Sequence, residues 1–414
     1  MALEFSLTRE QEEIRDLAHE FAEKEMRPVA DQYDEAEETP WDVMRKAHEL
    51  GLDAMGGFPE EYGGGGIDLL TTLVLQEELS WGDAGIAVAI NASGLAGAGI
   101  VAMGTEEQKK KYIGMLCDPK DLKIAAMGLT EPNSGSDSLA LETTATKVDG
   151  GYVLNGTKQF CTNGGIADIQ VAFVTTDKSA GPAGIAGFVI EKGNPGMRQG
   201  RKERKLGVRA SHTAQVIFED CFVAEDARLG YDKEGNATGP GAIGAMLMLE
   251  ATRPLIAAGA VGIARAAFEF ARDYSLERVQ FGKPIAKHEA IAFKLADMAT
   301  EIDAARLLTW RAGWMAMNGI PYARGEGSMA KLFSGDMAMR VTTDAVQVLG
   351  GYGYVKEYPV ERFMRDAKIY QIWEGTAEIQ RLVISRYILG ERRAIPRPKL
   401  VKDEPAAEAH AKAS

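Results

Sequence analysis

Apolar residues recur at helical spacing in five early segments, residues 7–32, 40–50, 69–79, 83–103 and 105–115, so the first part of the chain reads as helical. The stretch 83–103 is apolar nearly all round and rich in Gly and Ala, which predicts one buried helix in close contact with its neighbours. Between these helices FPEEYGGGGID (58–68) carries four successive glycines and reads as a loop. From about residue 122 the pattern changes. YVLNGTKQFCTNGG, DIQVAFVTT, GIAGFVIEK and TAQVIFEDCFV alternate or run apolar in Val, Ile, Phe and Thr between Gly, Asn and Asp turns, which predicts a small β domain ending near Gly230. A Gly-rich connection follows at 235–244, and helical periods return over 245–391. The remaining residues are proline-broken and polar, a flexible tail. The expected organisation is α+β: an N-terminal helical domain over 1–121, a middle β domain over 122–234, a C-terminal α domain over 235–392 and a tail over 393–414.

Size and charge narrow the picture. A chain of 414 residues exceeds what one core organises, consistent with three units. The net charge of −13 lacks the basic surface that nucleic acid requires, so a polyanionic ligand must be held by locally placed Arg, Lys or helix N-termini. Cys117, Cys161 and Cys221 fit no zinc spacing and an odd number cannot all pair, so reduced thiols and no metal are expected. MALEFSLTREQEEIRDLAHEF passes directly into an acid-bearing amphipathic helix, unlike a signal or transit peptide, which suggests a cytoplasmic protein. No run is expected to span a membrane.

Four segments carry candidate chemistry. No Gly-x-Gly-x-x-Gly follows an early strand, so a nicotinamide-binding Rossmann unit is not expected. MGLTEPNSGSD (127–137) offers backbone N–H groups and hydroxyls on a turn, suited to a flat heteroaromatic edge or a phosphate. KQFCTNGG (158–165) ends a strand with an aromatic ring and small polar groups. The long segment 250–291 is an Ala- and Gly-rich helix that ends in Arg278, Phe281, Gly282 and Lys283, where cations can meet a pyrophosphate. The last, 341–390, holds Gln347, Gly350 and Gly351 at a close-approach turn, then Arg362, Arg365 and Asp366 as a supporting charge network, then IYQIWEGTAEIQ (369–380). In that run Glu374 stands between an apolar stretch and Gly375–Thr376. An apolar flank raises a carboxylate's pKa and makes it a better base.

Together these segments, in this order over about residues 5–390, resemble the acyl-CoA dehydrogenase family, nearest its short/medium-chain type with the catalytic Glu in the IWEGT motif. The resemblance implies a middle β-barrel or sandwich domain, a C-terminal four-helix-bundle domain, FAD as cofactor, and α,β-dehydrogenation of an acyl-CoA thioester. It implies that Glu374 takes the α-proton while the flavin takes the β-hydride. Relatives specialised for isovaleryl or long-chain substrates carry their base at the position of Thr252, so here the role falls to Glu374. Met127, Leu129, Thr130, Gly135 and Ser136 match the first flavin-contacting loop, with Ser136 also near the acyl-CoA. Phe160, where the family often has Trp, would lie against the flavin, and Thr162 would approach its reactive nitrogen. Arg278 and Phe281 match residues that reach the cofactor of a neighbouring subunit. Gln347, Gly350 and Gly351 match the adenine and pyrophosphate contacts, and Thr376 and Glu378 complete the cofactor set. Glu250, Arg253 and Gly375 fall at the substrate, and Asn91 at the pocket floor, where the medium-chain branch often has Glu. The resemblance further implies a homotetramer and an electron-transfer flavoprotein as electron acceptor. A straight short- or medium-chain thioester ranks first as substrate, and a branched, aromatic or alicyclic one second. An acyl-CoA oxidase, a DNA-associated relative and a non-catalytic flavin-binding scaffold are the rival readings; the last should have lost the base.

Overall fold

The computed structural model describes residues 5–231 and 242–391, with side chains in the second stretch from Glu250 onward except residue 251. Of the expected connection over 235–244, residues 235–241 lie outside the described residues, as does the expected tail over 393–414, and residues 242–244 already belong to the helix that follows. Helix α1 (Arg9–Phe21) opens on a capping box in which Thr8 and Gln11 satisfy each other's backbone N–H groups. The helical path continues through tighter and looser turns into α2 (Ala30–Ala36), then α3 (Trp41–Glu49). Asp68 caps α4 (Leu69–Gly82) by accepting from Thr71 N at 2.8 Å. This helix is buried on most of its circumference because α1 and two long C-terminal helices surround it.

The stretch 83–103 is not one helix, as the apolar pattern predicts, but two: α5 (Ala84–Asn91) and α6 (Ser93–Met103). The junction carries Asn91, Ser93 and Gly94, all weak helix formers, around Ala92. The interruption falls at Ala92, next to Ser93, whose hydroxyl accepts from the backbone N–H of Ala125 at 2.9 Å and so ties α6 to the sheet. Helix α7 (Glu106–Leu116) follows a second capping box, Thr105 with Gln108.

The middle unit is a curled seven-stranded sheet. Its strands are β1 (Ala125–Gly128), β2 (Thr144–Val148), β3 (Gly151–Thr162), β4 (Ile169–Thr175), β5 (Ile185–Glu191), β6 (Met197–Lys202) and β7 (Thr213–Ala224). Strand β4 runs parallel to β1 and antiparallel to β5, and the order continues through β2, β3 and β7 to β6. The long pair β3–β7 carries two bulges, at 154–156 and 158–161, which bend the sheet. Strands β1, β2 and β6 were not legible from apolar alternation: β1 is four residues long, and β2 and β6 are largely polar and exposed.

In the last unit α8 (Ala242–Glu277) leads into a hairpin of β8 (Val279–Gln280) and β9 (Lys283–Pro284), followed by α9 (Glu289–Met317), α10 (Glu326–Leu349), α11 (Val360–Ala367) and α12 (Ala377–Ile388). Helices α8, α9 and α10 pack on one another and α12 on α10, a four-helix bundle with α11 against its side. The stretches Ala84–Met103 and Thr252–Glu277 have the length and apolar composition of membrane spans, but 56% and 67% of their windows are buried inside the molecule, as in core helices. The buried carboxylates Glu77 and Glu78 of α4 are answered by Arg265 of α8 and Arg306 of α9, with N–O distances of 2.5–2.8 Å. This joins the first unit to the bundle.

Candidate active site

Glu374 stands on the loop between α11 and α12 with φ +53°, a left-handed conformation that non-glycine residues seldom adopt. Gly375 follows at φ +91°, where a side chain would be strained. The loop is held from below. Gln380 Nε2 donates to the carbonyls of Glu374 and Gly375, both at 3.0 Å, and the buried Lys331 Nζ donates to the Gly375 carbonyl at 2.7 Å. Thr376 closes the loop as the N-cap of α12, accepting from Ile379 N. Among the described residues no hydrogen bond uses the Glu374 backbone N–H.

The Glu374 carboxylate accepts from Thr252 Oγ1 of α8 at 3.2 Å. Burial of the carboxylate raises its pKa above the ordinary value; the Thr252 bond and the cations Arg253 and Lys331 act in the opposite sense and do not cancel it. Arg253 donates to Ser328 of α10 at 3.0 Å, and Glu250, buried one turn earlier on α8, accepts from the Tyr387 hydroxyl of α12 at 2.9 Å. Helices α8 and α10 thus bring groups to one carboxylate, and α12 holds the backbone beneath it. In the sequence Thr252 shows only as a position lacking a base, and Lys331 and Gln380 belong to no site motif. Lys331 had a signal: it lies on the buried stripe of α10 with Gly327, Ser334, Ala338 and Val341, where an ammonium needs a reason.

A second group lies on the sheet. The ends of β1 and β3 run side by side, joined by Gln159 N to Thr130 O at 2.8 Å, and bring Met127, Leu129 and Thr130 next to Phe160 and Thr162. Phe160 sits in a bulge at φ +57° and is 61% exposed, an aromatic ring offered outward from a strand. Beneath it Lys158 and Glu131, 0% and 1% exposed in their side chains, form an ion pair at 2.5 Å. Lys158 also donates to Leu129 O at 3.2 Å, and Glu131 accepts from Thr143 N and Glu142 N at 3.0 and 2.5 Å. Burial pushes Glu131 up, but these bonds outweigh it and leave its carboxyl below the usual range; burial pulls Lys158 down. Gly135 and Ser136 are exposed on the turn that follows.

A third group lines a cleft of about 770 Å³ formed by Tyr274, Arg278, Phe281, Leu349, Gly350 and Gly351 with their neighbours. Phe281 and Gly282, at φ +51° and +76°, make the two-residue turn of the β8–β9 hairpin, and Phe281 is 94% exposed at its tip. The Arg278 guanidinium lies 5.2 Å from the Tyr352 ring. Gly350 and Gly351 have open space where side chains would stand. Gln347, one turn back on α10, and Glu378, on the first turn of α12, are exposed, while Asn91 is half-buried at the C-terminal end of α5. Among the described residues no hydrogen bond joins the cleft, the sheet group and the Glu374 group to one another.

These features fit FAD: an exposed ring and polar strand ends for the isoalloxazine, and a cation, an aromatic tip and bare backbone for a pyrophosphate and adenine. The sequence matches the profiles described as acyl-CoA dehydrogenase N-terminal domain over residues 8–120, middle domain over 126–221 and C-terminal domain over 239–389. It is 46% identical over 385 residues to the short-chain specific acyl-CoA dehydrogenase of Clostridium acetobutylicum, covering 92% of this chain and 99% of that one. Butyryl-CoA dehydrogenase from Megasphaera elsdenii superposes with a TM-score of 0.87 at 43% identity, over 94% of this chain and all of that one. A chain solved in work on the electron transferring flavoprotein of Acidaminococcus fermentans and flavin-based electron bifurcation superposes with a TM-score of 0.88 at 45% identity, over 94% and 100%. The chain belongs to the acyl-CoA dehydrogenase family and is an FAD-dependent oxidoreductase of acyl-CoA thioesters.

Proposed function

We propose that this enzyme oxidises short straight-chain acyl-CoA thioesters to 2-enoyl-CoA with Glu374 as the base, and passes the electrons to an electron-transfer flavoprotein. The observation that carries the reading is the state of Glu374: backbone in the left-handed region, half-buried, anchored by Thr252 and fixed through its own carbonyl and that of Gly375. A raised pKa gives the carboxylate a stronger pull on the weakly acidic α-proton. As the Cα–H bond breaks, its electron pair moves toward the thioester carbonyl, and the open N–H of Glu374 is a donor for the oxygen that gains charge. When bound, FAD supplies the acceptor for the β-hydride. Met127, Leu129, Thr130, Gly135, Ser136, Phe160 and Thr162 would hold its ring, with Thr376 and Glu378 near its edge. Arg278, Phe281, Gln347, Gly350 and Gly351 would serve the nucleotide half in a neighbouring subunit. The outward aim of Phe281 supports that division, and with it assembly as a homotetramer. Glu250, Arg253, Gly375 and Asn91 would border the substrate.

The chain-length preference draws on the relatives that are named short-chain specific and butyryl-CoA dehydrogenases, and the acceptor on the Acidaminococcus neighbour. A cytoplasmic location is part of the same reading, supported by three free, buried thiols. The test is anaerobic mixing of the holoenzyme with straight, branched and cyclic acyl-CoA thioesters while following the flavin absorbance. Bleaching is expected with the butyryl thioester, and Glu374→Gln should stay yellow and lose at least about a thousandfold in rate. Normal bleaching in that variant would remove Glu374 from the role of base.

A further inference from the structure

Lys331 lies on α10, buried among small residues, with its ammonium on the Gly375 carbonyl at 2.7 Å. Taking an ammonium out of water costs several kcal/mol, and here the groups that answer it are the Gly375 carbonyl, the carboxylate of Glu374 first among the nearby acids, and Asp336 and Glu378 after it. An aliphatic residue would fill the same stripe at no such cost. The loop it touches holds two consecutive left-handed residues, which persist only where surrounding contacts over-determine them. Lys331 and Gln380 are those contacts, but they differ in kind. Gln380 is neutral and binds only backbone carbonyls, while Lys331 adds a positive charge facing the reacting carboxylate.

We propose that Lys331 is a positioning residue for the reaction, clamping the Glu374–Gly375 backbone and acting as the buried countercharge that keeps Glu374 ionised. The proposal rests on the reading of Glu374 as base. Two cations face that carboxylate, Arg253 from α8 and Lys331 from α10; Lys331 is in turn faced by Glu374, Arg253, Asp336 of α10 and Glu378 of α12. Burial pulls the Lys331 ammonium down to about 8, and the acids around it hold it from falling further. Removing its charge leaves Glu374 with Arg253 alone, so the carboxylate should bind its proton more tightly.

The two roles separate experimentally in the holoenzyme. Lys331→Met and Gln380→Leu should both speed amide hydrogen exchange in the peptide spanning 372–377. Only Lys331→Met should move the acid limb of the flavin-bleaching rate with butyryl-CoA upward, by about one pH unit, a tenfold loss on that limb. Lys331→Arg should return the limb toward the wild-type position. Should Lys331→Met fail to retain FAD, Lys331→Gln keeps a donor for the Gly375 carbonyl without the charge, and should show the shifted limb with loop exchange near wild type. Wild-type exchange together with a wild-type limb in the uncharged variant would reduce Lys331 to a buried scaffold residue and overturn the proposal. Glu374→Gln run alongside keeps the two readings apart. If it bleaches normally, the base assignment and the countercharge role both fall, while loop exchange still judges the clamp.

Discussion

Glu374, Phe160 and Phe281 all hold left-handed backbone, which costs on the order of 1–3 kcal/mol at each non-glycine residue. Each is a side chain that must leave the path of its element: a carboxylate turned over a helix start, a ring lifted from a strand, a ring carried on a hairpin tip. The strain is held by neighbours, and in the sheet the holder is the pair Lys158–Glu131. Both charges are buried, and between them they take up Leu129 O, Thr143 N and Glu142 N, so the pair fixes the strand ends that flank Phe160. Removing one partner strands the other. Lys158→Met should therefore cost about 3–5 kcal/mol in urea unfolding of the holoenzyme, and Lys158→Met with Glu131→Leu should cost clearly less than the single change. Equal losses in the single and double variants would mean that the backbone bonds of Glu131, and not its charge, carry the effect.

At the scale of elements the β8–β9 hairpin is the least supported and the most exposed. Two residue pairs hold it, Val279 with Pro284 and Gln280 with Lys283, and His288 braces it by meeting the Gln280 carbonyl at 3.1 Å and the Phe281 ring at 5.8 Å. Among the described residues none covers Phe281, so the cost of presenting the ring calls for recovery by what binds there. Arg278→Ala should leave the helical signal unchanged and release FAD during gel filtration; full flavin retention would count against a nucleotide contact. The hairpin was legible in the sequence only as a helix end bearing an Arg and a Phe, because four residues of strand are too few for any period. Long helices and the strands β3, β4, β5 and β7 were legible, since burial on one face or both writes itself into the spacing of Val, Ile and Leu. The break at Ala92 was not, because Asn91, Ser93 and Gly94 only weaken a helix, while the contact of Ser93 with Ala125 comes from a distant strand. Glu374 was legible from its apolar flank and Gly375. Lys331 and Gln380 take their meaning from a loop that another helix brings to them, which no window of sequence contains.

At the scale of the molecule the three units meet around α11. Arg365 donates to Asp34 of α2 at 2.7 Å and to the Leu206 carbonyl of the β6–β7 loop at 3.1 Å, and Arg362 reaches Asp83 at the cap of α5 at 3.2 Å. Arg209 of the same loop pairs with Glu37 at 2.8 Å, and Val208 N donates to Asp366 at 2.5 Å. Six acids, Asp31, Asp34, Glu37, Asp83, Glu361 and Asp366, face the guanidiniums of Arg209, Arg362 and Arg365 and the buried ammonium of Lys205, so the junction holds two more negative charges than positive ones when all are ionised. Burial first, and the neighbouring carboxylate Asp34 besides, pushes Asp366 up to about 6, and Asp83 is raised as well. A folded-state pKa above the unfolded value near 4 means that the native junction keeps a proton which the unfolded chain releases. Its contribution to stability is complete below about pH 4 and is lost as the pH rises through 6. Asp366→Asn keeps an acceptor for Val208 N and removes the charge. Urea unfolding at fixed protein and FAD concentration should therefore show the variant gaining on the wild type by on the order of 1–3 kcal/mol between pH 4 and pH 7. A difference independent of pH would mean that Asp366 stays ionised throughout and that the guanidiniums answer it fully. Because α11 leads directly through residues 368–371 to Glu374, the same junction that locks the three units together also sets the base of the loop that carries the proposed base.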